Sequence, residues 1–203
     1  MKELEIIVVV DESSDKTDEV ADSYSRKYNN IKAIHRESGI RGLGSALKDG
    51  TKAAKGKYVV WVMGDNSDDL STIPEFIKKL KKEYDMVFGS RYMKGGSSGD
   101  LNAFKRILSF GYTYISSILF GLKVHDITNA FRAFKKEVFN NIALESNDFA
   151  ICAEFAIKTH LKGYKLGEVP TSYTKRRIGK SKFNLLNTGV AYIKIFKYKF
   201  KGV

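Results

Sequence analysis

The stretch YVVWVMGDNSDD, residues 58–69, decides the fold. Six apolar residues run without a polar break, Gly64 turns the chain, and aspartates follow at positions 65, 68 and 69. An apolar run of this length, closed by turn residues, reads as a strand buried on both faces, the kind that helices cover in a parallel sheet. It delivers carboxylates to the end of a buried strand. Asp, Asn and Ser are also ordinary turn formers whose side chains bond the local backbone.

Working outward, the same pattern repeats. Residues 5–10 (EIIVVV) form a β-branched run, and residues 15–28 carry Val20, Tyr24 and Tyr28 at helical spacing. A short strand over 31–36 precedes a helix over 44–54 with Leu47, Gly50 and Ala54 on one face. Thr72 and Glu75 have capping-box spacing, which opens a helix to about residue 82, and 86–89 is the next strand. This alternation predicts an α/β fold with a mostly parallel, doubly wound sheet, whose ligands bind where strands end. Segments 11–15, 65–69 and 90–91 should converge on one rim. Farther on, KGGSSGD (94–100) is a loop, and residues 103–122 are amphipathic. Strands over 131–135 and 165–169 flank a helix over 149–161.

With 35 Lys and Arg against 23 Asp and Glu, the formal charge of +12 calls for an anionic partner or surface. A nucleic acid is not that partner, because an acidic rim repels phosphate unless a metal intervenes. The single Cys152 excludes an intrachain disulfide and a cysteine-rich zinc site, and the three histidines lack metal-ligand spacing. No signal-peptide pattern is visible at the start, and the apolar region 107–122 is shorter than the ~20 residues of a membrane span.

Six segments in order, EIIVVVDESSDKT, RGLGSALKDG, MGDNSDD, FGSRYMKGG, DITNAFRAFK and EVPTSYTKRRIGKSKF, resemble family 2 glycosyltransferases of the GT-A fold. Within that family the chain is most similar to the polyprenyl-phosphate, dolichyl-phosphate mannosyltransferase-like branch, from residue 5 to about residue 183. The resemblance implies an inverting transfer from a nucleotide-sugar (a UDP- or GDP-sugar), with Mg2+ or Mn2+, to a polyprenyl phosphate or a glycan hydroxyl. Asp11 matches the acid that reads the base, and Asp65 matches the second Asp of the DxD-like metal motif. The first Asp falls at Met63, with Asp68 or Asp69 as substitutes. Arg91 matches a phosphate-facing arginine and Arg106 one directed at the lipid phosphate, while Glu154 matches a pocket residue near sugar hydroxyls. Arg176, Gly179, Ser181 and Lys182 match the loop that closes over the donor diphosphate. Each has a plainer counterpart, a solvated surface charge or a turn residue. A phosphate acceptor needs no general base, whereas a hydroxyl does, with Asp68, Asp69 or Glu154 as candidates.

The family usually opens with a strand and a Pro-x-x-Asn-Glu turn ahead of the strand matched by residues 5–10, and this chain starts at the later strand. The expectation is an exposed strand edge, completed by a partner or a second copy. A non-catalytic partner subunit is the alternative reading. Residues 1–182 form the expected catalytic domain and 183–203 a basic amphipathic tail, either helical or a strand at an oligomer contact. The tail and residues 103–122 suit peripheral attachment to the cytoplasmic face of a membrane.

Overall fold

The computed structural model describes residues 4–11, 13, 15–36, 39–175 and 185–201. Strands β1 (Ile6–Val10) and β2 (Ile31–His35) flank helix α1 (Thr17–Lys27) and pair in parallel, from Ile6 opposite Ile31 to Val10 opposite His35. Helix α2 (Leu43–Ala53) then leads to β3 (Tyr58–Trp61). After α3 (Ile73–Lys82) come β4 (Met86–Ser90), the long α4 (Ala103–Phe120) and β5 (Arg132–Lys135). The short α5 (Lys136–Asn140), α6 (Ile151–Leu161), β6 (Leu166–Pro170), α7 (Leu185–Ile195) and α8 (Tyr198–Lys201) complete the order.

The second sheet runs β3-β5-β4-β6, with β4 parallel to β6 and β5 antiparallel to both of its neighbours. The sequence predicts a mostly parallel sheet, and the exception, β5, follows from α4. Its N-terminus is capped by Asn102, whose side chain accepts from the N–H groups of Phe104 and Lys105, and it ends on Gly121 in the left-handed region. It does not carry the chain back to the foot of the sheet. The chain re-enters β5 from the rim, at Arg132, opposite Trp61 and Phe88.

Strand β4 is buried along its whole length and feeds two cores. Met86 and Phe88 join Trp61, Phe134, Phe155 and α6 on one face, while Val87 joins Phe76, Leu80 and Phe131 under α3 on the other. Each such large side chain contributes about 1.5–3 kcal/mol on burial. Helix α6 is enclosed from Ile151 to Thr159, as a helix with apolar residues all round should be.

Several expectations fail locally. Thr72 makes no cap bond; its hydroxyl pairs with that of Thr171 at 3.1 Å, and Asp69 caps the preceding 3-10 turn instead. On α1 only Ala21 is buried, while Val20, Tyr24 and Tyr28 stand exposed. The division at residue 182 is not a division of the core, because Ile195 and Tyr198 belong to the cluster around Trp61. The described part of that tail is helical, not a strand.

Among the described residues β1 pairs only with β2, and the far edge of β3 pairs with nothing. The two edges start side by side, since the Glu5 carboxylate accepts the N–H groups of Lys55 and Gly56 at 2.6 and 2.7 Å. Helix α2 roofs both: Gly50 lies against Val9, and Thr51 accepts from the Trp61 indole at 2.8 Å. Ile7, Val8 and Val9, with Val59 and Val60, remain only half-buried along this seam.

Candidate active site

The ends of β3, β4 and β6 and the turn entering β5 form one rim, which brings segments 65–69 and 90–91 together. Beyond β3 the chain reverses at Asn66, which takes φ 57°. This reversal lets Asp65 accept from the N–H of Ser67 at 3.2 Å and Asp68 accept from the N–H of Met63 at 2.8 Å. Burial pushes the Asp68 carboxyl up to about 6, with the Asp65 charge adding to it and the Met63 N–H and Arg91 opposing. A cleft of roughly 170 Å³ opens here, lined by Val62, Met63, Gly64, Asn66, Asp68 and Leu70. Asp69 points its carboxylate at Ser71 and serves the turn.

Two neighbouring carboxylates, one of them raised mainly by burial, fit a hard divalent cation that shares its shell with phosphate and water. No group of three or more His, Cys, Asp or Glu side chains suited to a metal occurs among the described residues. Asp65 and Asp68 are the pair of carboxylates that such a cation would meet beside the cleft.

Arg91 leaves β4 and turns its fork onto Asp126: Nε donates to Oδ2 at 2.7 Å and Nη2 to Oδ1 at 3.0 Å. Nη2 also reaches the Thr128 hydroxyl at 3.0 Å. Burial pulls the guanidinium down, but Asp126 more than reverses this and holds it charged. Its guanidinium lies 5.3 Å from the Tyr92 ring, whose hydroxyl bonds Ser109 on α4, one turn past the exposed Arg106. Arg91 and Arg106 thus approach the rim from β4 and α4.

Two residues that the sequence reading passed over hold the turn beneath Arg91. Glu168 on β6 accepts the N–H groups of His125 and Asp126 at 2.6 and 3.1 Å. Arg132, fully buried between the Trp61 and Phe88 rings, donates to the carbonyls of Cys152, Ile127 and Asn129. The available signal was the Arg itself, a cation inside the apolar strand FRAFK.

Asp11, at the end of β1, receives Arg36 at 2.5 Å on one oxygen and the N–H of Gly42 at 2.9 Å on the other. It holds the entry to α2 in place. Glu154 requires a correction: it is completely buried and does not line the rim. Its oxygens accept the N–H groups of Glu145 and Ser146 at 2.8 and 2.7 Å, the Lys158 ammonium at 2.8 Å and the Tyr198 hydroxyl at 3.2 Å. Burial raises its pKa, and these donors outweigh that to leave it lowered. Buried in this way, it is not presented to a sugar on the rim.

Arg176, Ser181 and Lys182 lie outside the described residues. The strand-end segment leading to them is pinned to the rim, since Thr174 donates to the Ser67 carbonyl at 3.0 Å and Tyr173 bridges Asp68.

Helix α4 is inverted relative to an ordinary surface helix. It buries Thr113, Ser116 and Phe120, and exposes Phe104, Ile107, Leu108, Phe110, Tyr114, Ile115 and Ile118. Exposed apolar residues continue onto α7 and α8 with Val190, Ile193 and Phe200. No described helix is long and apolar enough to cross a membrane.

Comparison with known proteins agrees with this geometry. The chain is 35% identical over 181 residues to the dolichol-phosphate mannosyltransferase of Pyrococcus furiosus, covering 88% of this chain and 50% of that protein. It is 30% identical over 185 residues to the dolichyl-phosphate hexose transferase of Haloferax volcanii, covering 91% of this chain and 76% of that protein. The chain therefore spans about half the length of the first of these relatives. Glucosyl-3-phosphoglycerate synthase from Mycobacterium tuberculosis, solved with Mn2+, UDP and glucosyl-3-phosphoglycerate, superposes with a TM-score of 0.67 at 14% identity, over 96% of this chain and 68% of that one. The same enzyme with Mg2+ and UDP gives 0.68 at 14% identity, over 98% and 68%. These structures share the GT-A fold. Residues 1–143 match the glycosyl transferase family 2 description, and with that match and the mannosyltransferase relative the chain belongs to glycosyl transferase family 2.

Proposed function

We propose that this chain is the sugar-transferring domain of an inverting enzyme that takes a hexose from a UDP- or GDP-sugar and passes it to a polyprenyl phosphate. The observation that carries the reading is the meeting of Asp65 and Asp68 with Arg91 on one rim, beside the inverted apolar face of α4. Asp65 and Asp68 would hold Mg2+ or Mn2+, which when bound neutralises the diphosphate as it leaves.

The remaining work falls to the chain's own groups. Asp11 keeps the α2 entry in place beside the base. Arg91, fixed by Asp126, supplies positive potential under the phosphates without reorganising. Arg106 stands at the exposed start of α4, where it meets the acceptor phosphate. That phosphate oxygen is already anionic and attacks the anomeric carbon, so no side chain need remove a proton. The burial of Glu154 away from the rim is consistent with a site that has no such base. Arg176, Ser181 and Lys182 follow the pinned segment and would close on the donor.

The exposed face of α4, with the exposed apolar residues of α7 and α8 and the exposed Lys194 and Lys199, suits a peripheral seat on an anionic membrane, on its cytoplasmic side. One observation favours the alternative, a non-catalytic subunit completed by another chain: the unpaired facing edges of β1 and β3. Calorimetric titration of UDP and GDP, with and without Mn2+, separates the two readings. Cation-dependent binding that disappears in Asp65→Ala supports the transferase. Absence of binding to both nucleotides sinks it in favour of the subunit.

A further inference from the structure

We infer that Glu154 is a positioning residue for the nucleotide end of the site, acting through the turn at residues 145–147 and the glycines that open α2. The inference rests on the donor reading above. The carboxylate fixes the N–H groups of Glu145 and Ser146, which aims the next residue, Asn147, at α2. The Asn147 carbonyl accepts the N–H groups of Gly44 and Ser45 at 2.9 and 3.3 Å. Its side-chain oxygen accepts the Ser45 hydroxyl at 3.1 Å and the Lys48 ammonium at 2.6 Å.

The Gly-Leu-Gly of the RGLGSALKDG segment follows from this contact. A Cβ on Gly42 would sit 2.4 Å from the Asn147 carbonyl oxygen, and one on Gly44 would sit 2.7 Å from its carbonyl carbon. Gly42 also takes φ 123°, which side-chain-bearing residues avoid. The N–H of the same Gly42 donates to Asp11. Hydrogen bonds joined by two short stretches of backbone therefore lead from Glu154 through Asn147 and the α2 entry to Asp11, and Glu154 acts on the base without touching it.

The start of this connection is anchored from two sides. Lys158, buried one turn on, neutralises Glu154 at 2.8 Å, and the Tyr198 hydroxyl on α8 donates at 3.2 Å. Burying a carboxylate this completely is costly, and three classes of donor offset it here. An apolar residue would pack in the same space. What it could not do is hold both turn N–H groups at once.

The test combines amide exchange with nucleotide binding in Glu154→Gln and Gly44→Ala. In Glu154→Gln, amides of residues 42–45 should exchange about tenfold faster, because one charge-assisted anchor of the turn is lost. Exchange in β4 and β6 should stay as in the parent. The affinity for UDP or GDP with Mn2+ should fall about tenfold, and in a transfer assay the donor KM should rise while kcat holds within about twofold. Gly44→Ala pushes the turn away from the other side and should reproduce both changes, which keeps the test open if Glu154→Gln folds poorly. The double variant should be no worse than the more affected single one. Unchanged exchange at residues 42–45 in both single variants overturns the inference, as does faster exchange with undiminished affinity. A parent chain that binds neither nucleotide overturns the donor reading instead, and the exchange arm tells the two failures apart.

Discussion

Replacing Asp126 with Asn removes one charge and changes almost no volume, yet it should be among the most damaging substitutions in the chain. Asp126 is fully buried, and the Arg91 side chain it pairs with is only 9% exposed. Its Oδ2 accepts from the Arg91 N–H at 3.2 Å and from Arg91 Nε at 2.7 Å. Its Oδ1 accepts from Arg91 Nη2, the Thr128 hydroxyl and the Asn129 N–H, at 3.0, 3.0 and 3.2 Å. Every neighbour is a donor. Whichever way the new amide turns, its NH2 faces donors, and a buried guanidinium loses its countercharge. Breaking a buried pair from one side costs about 3–5 kcal/mol, against a total stability of about 5–15 kcal/mol for a domain. Urea unfolding should show a fall in midpoint with an unchanged slope. Adding Arg91→Met to Asp126→Asn should recover a large part of the loss, since the stranded cation leaves with it. A loss below about 1 kcal/mol, or no recovery in the double variant, would refute the reasoning.

Two further outcomes follow from exposed features. His35 lies 2.7 Å from both Asp18 and Asp22, and the hydrogen bonds to Asp22 and then Asp18 raise its pKa above the ordinary 6.5. A raised histidine stabilises fully below its unfolded value and loses that contribution as pH climbs through the folded one. The stability gap between the parent and His35→Gln should therefore be wider at pH 6 than at pH 9, and an equal gap in urea midpoints at the two pH values would contradict the pairing. On α4, Ile107 and Ile118 are 66% and 67% exposed. Their replacement by Ser should leave stability within about 0.5 kcal/mol while weakening sedimentation with anionic phosphatidylserine vesicles; a stability loss with undiminished vesicle binding would assign that face to the core.

The strands β1, β3 and β4 were legible because each is an apolar run closed by turn residues, and the rim followed once the ends of β3 and β4 were aligned. The direction of β5 was not, since it depends on where α4 releases the chain and not on the FRAFK sequence itself. The stripe on α4 was visible as a pattern, but periodicity does not say which way a stripe faces. Here the small polar residues Thr113 and Ser116 turn inward. The same limit applies to Tyr24 and Tyr28, which keep helical spacing while lying on the outer side of α1 and stacking on each other at 6.1 Å. At the site, Asp65 and Asp68 stood out as carboxylates after a buried strand. The roles of Glu154, Glu168 and Arg132 were hidden, because each is defined by backbone groups from distant segments that a linear reading does not bring together.

The seam between β1 and β3 divides the molecule mechanically. No ladder of hydrogen bonds crosses it among the described residues, so the two halves are joined by α2, by Glu5 and by the Asn147 contact. Residues 6–36 then form a unit whose opening breaks few long-range bonds, and such units open well below the free energy of global unfolding. Asp11, which the proposed function sets beside the base, lies at the end of the strand that opens with this unit. The end proposed for the nucleotide is thus softer than the end carrying Asp65, Asp68 and Arg91.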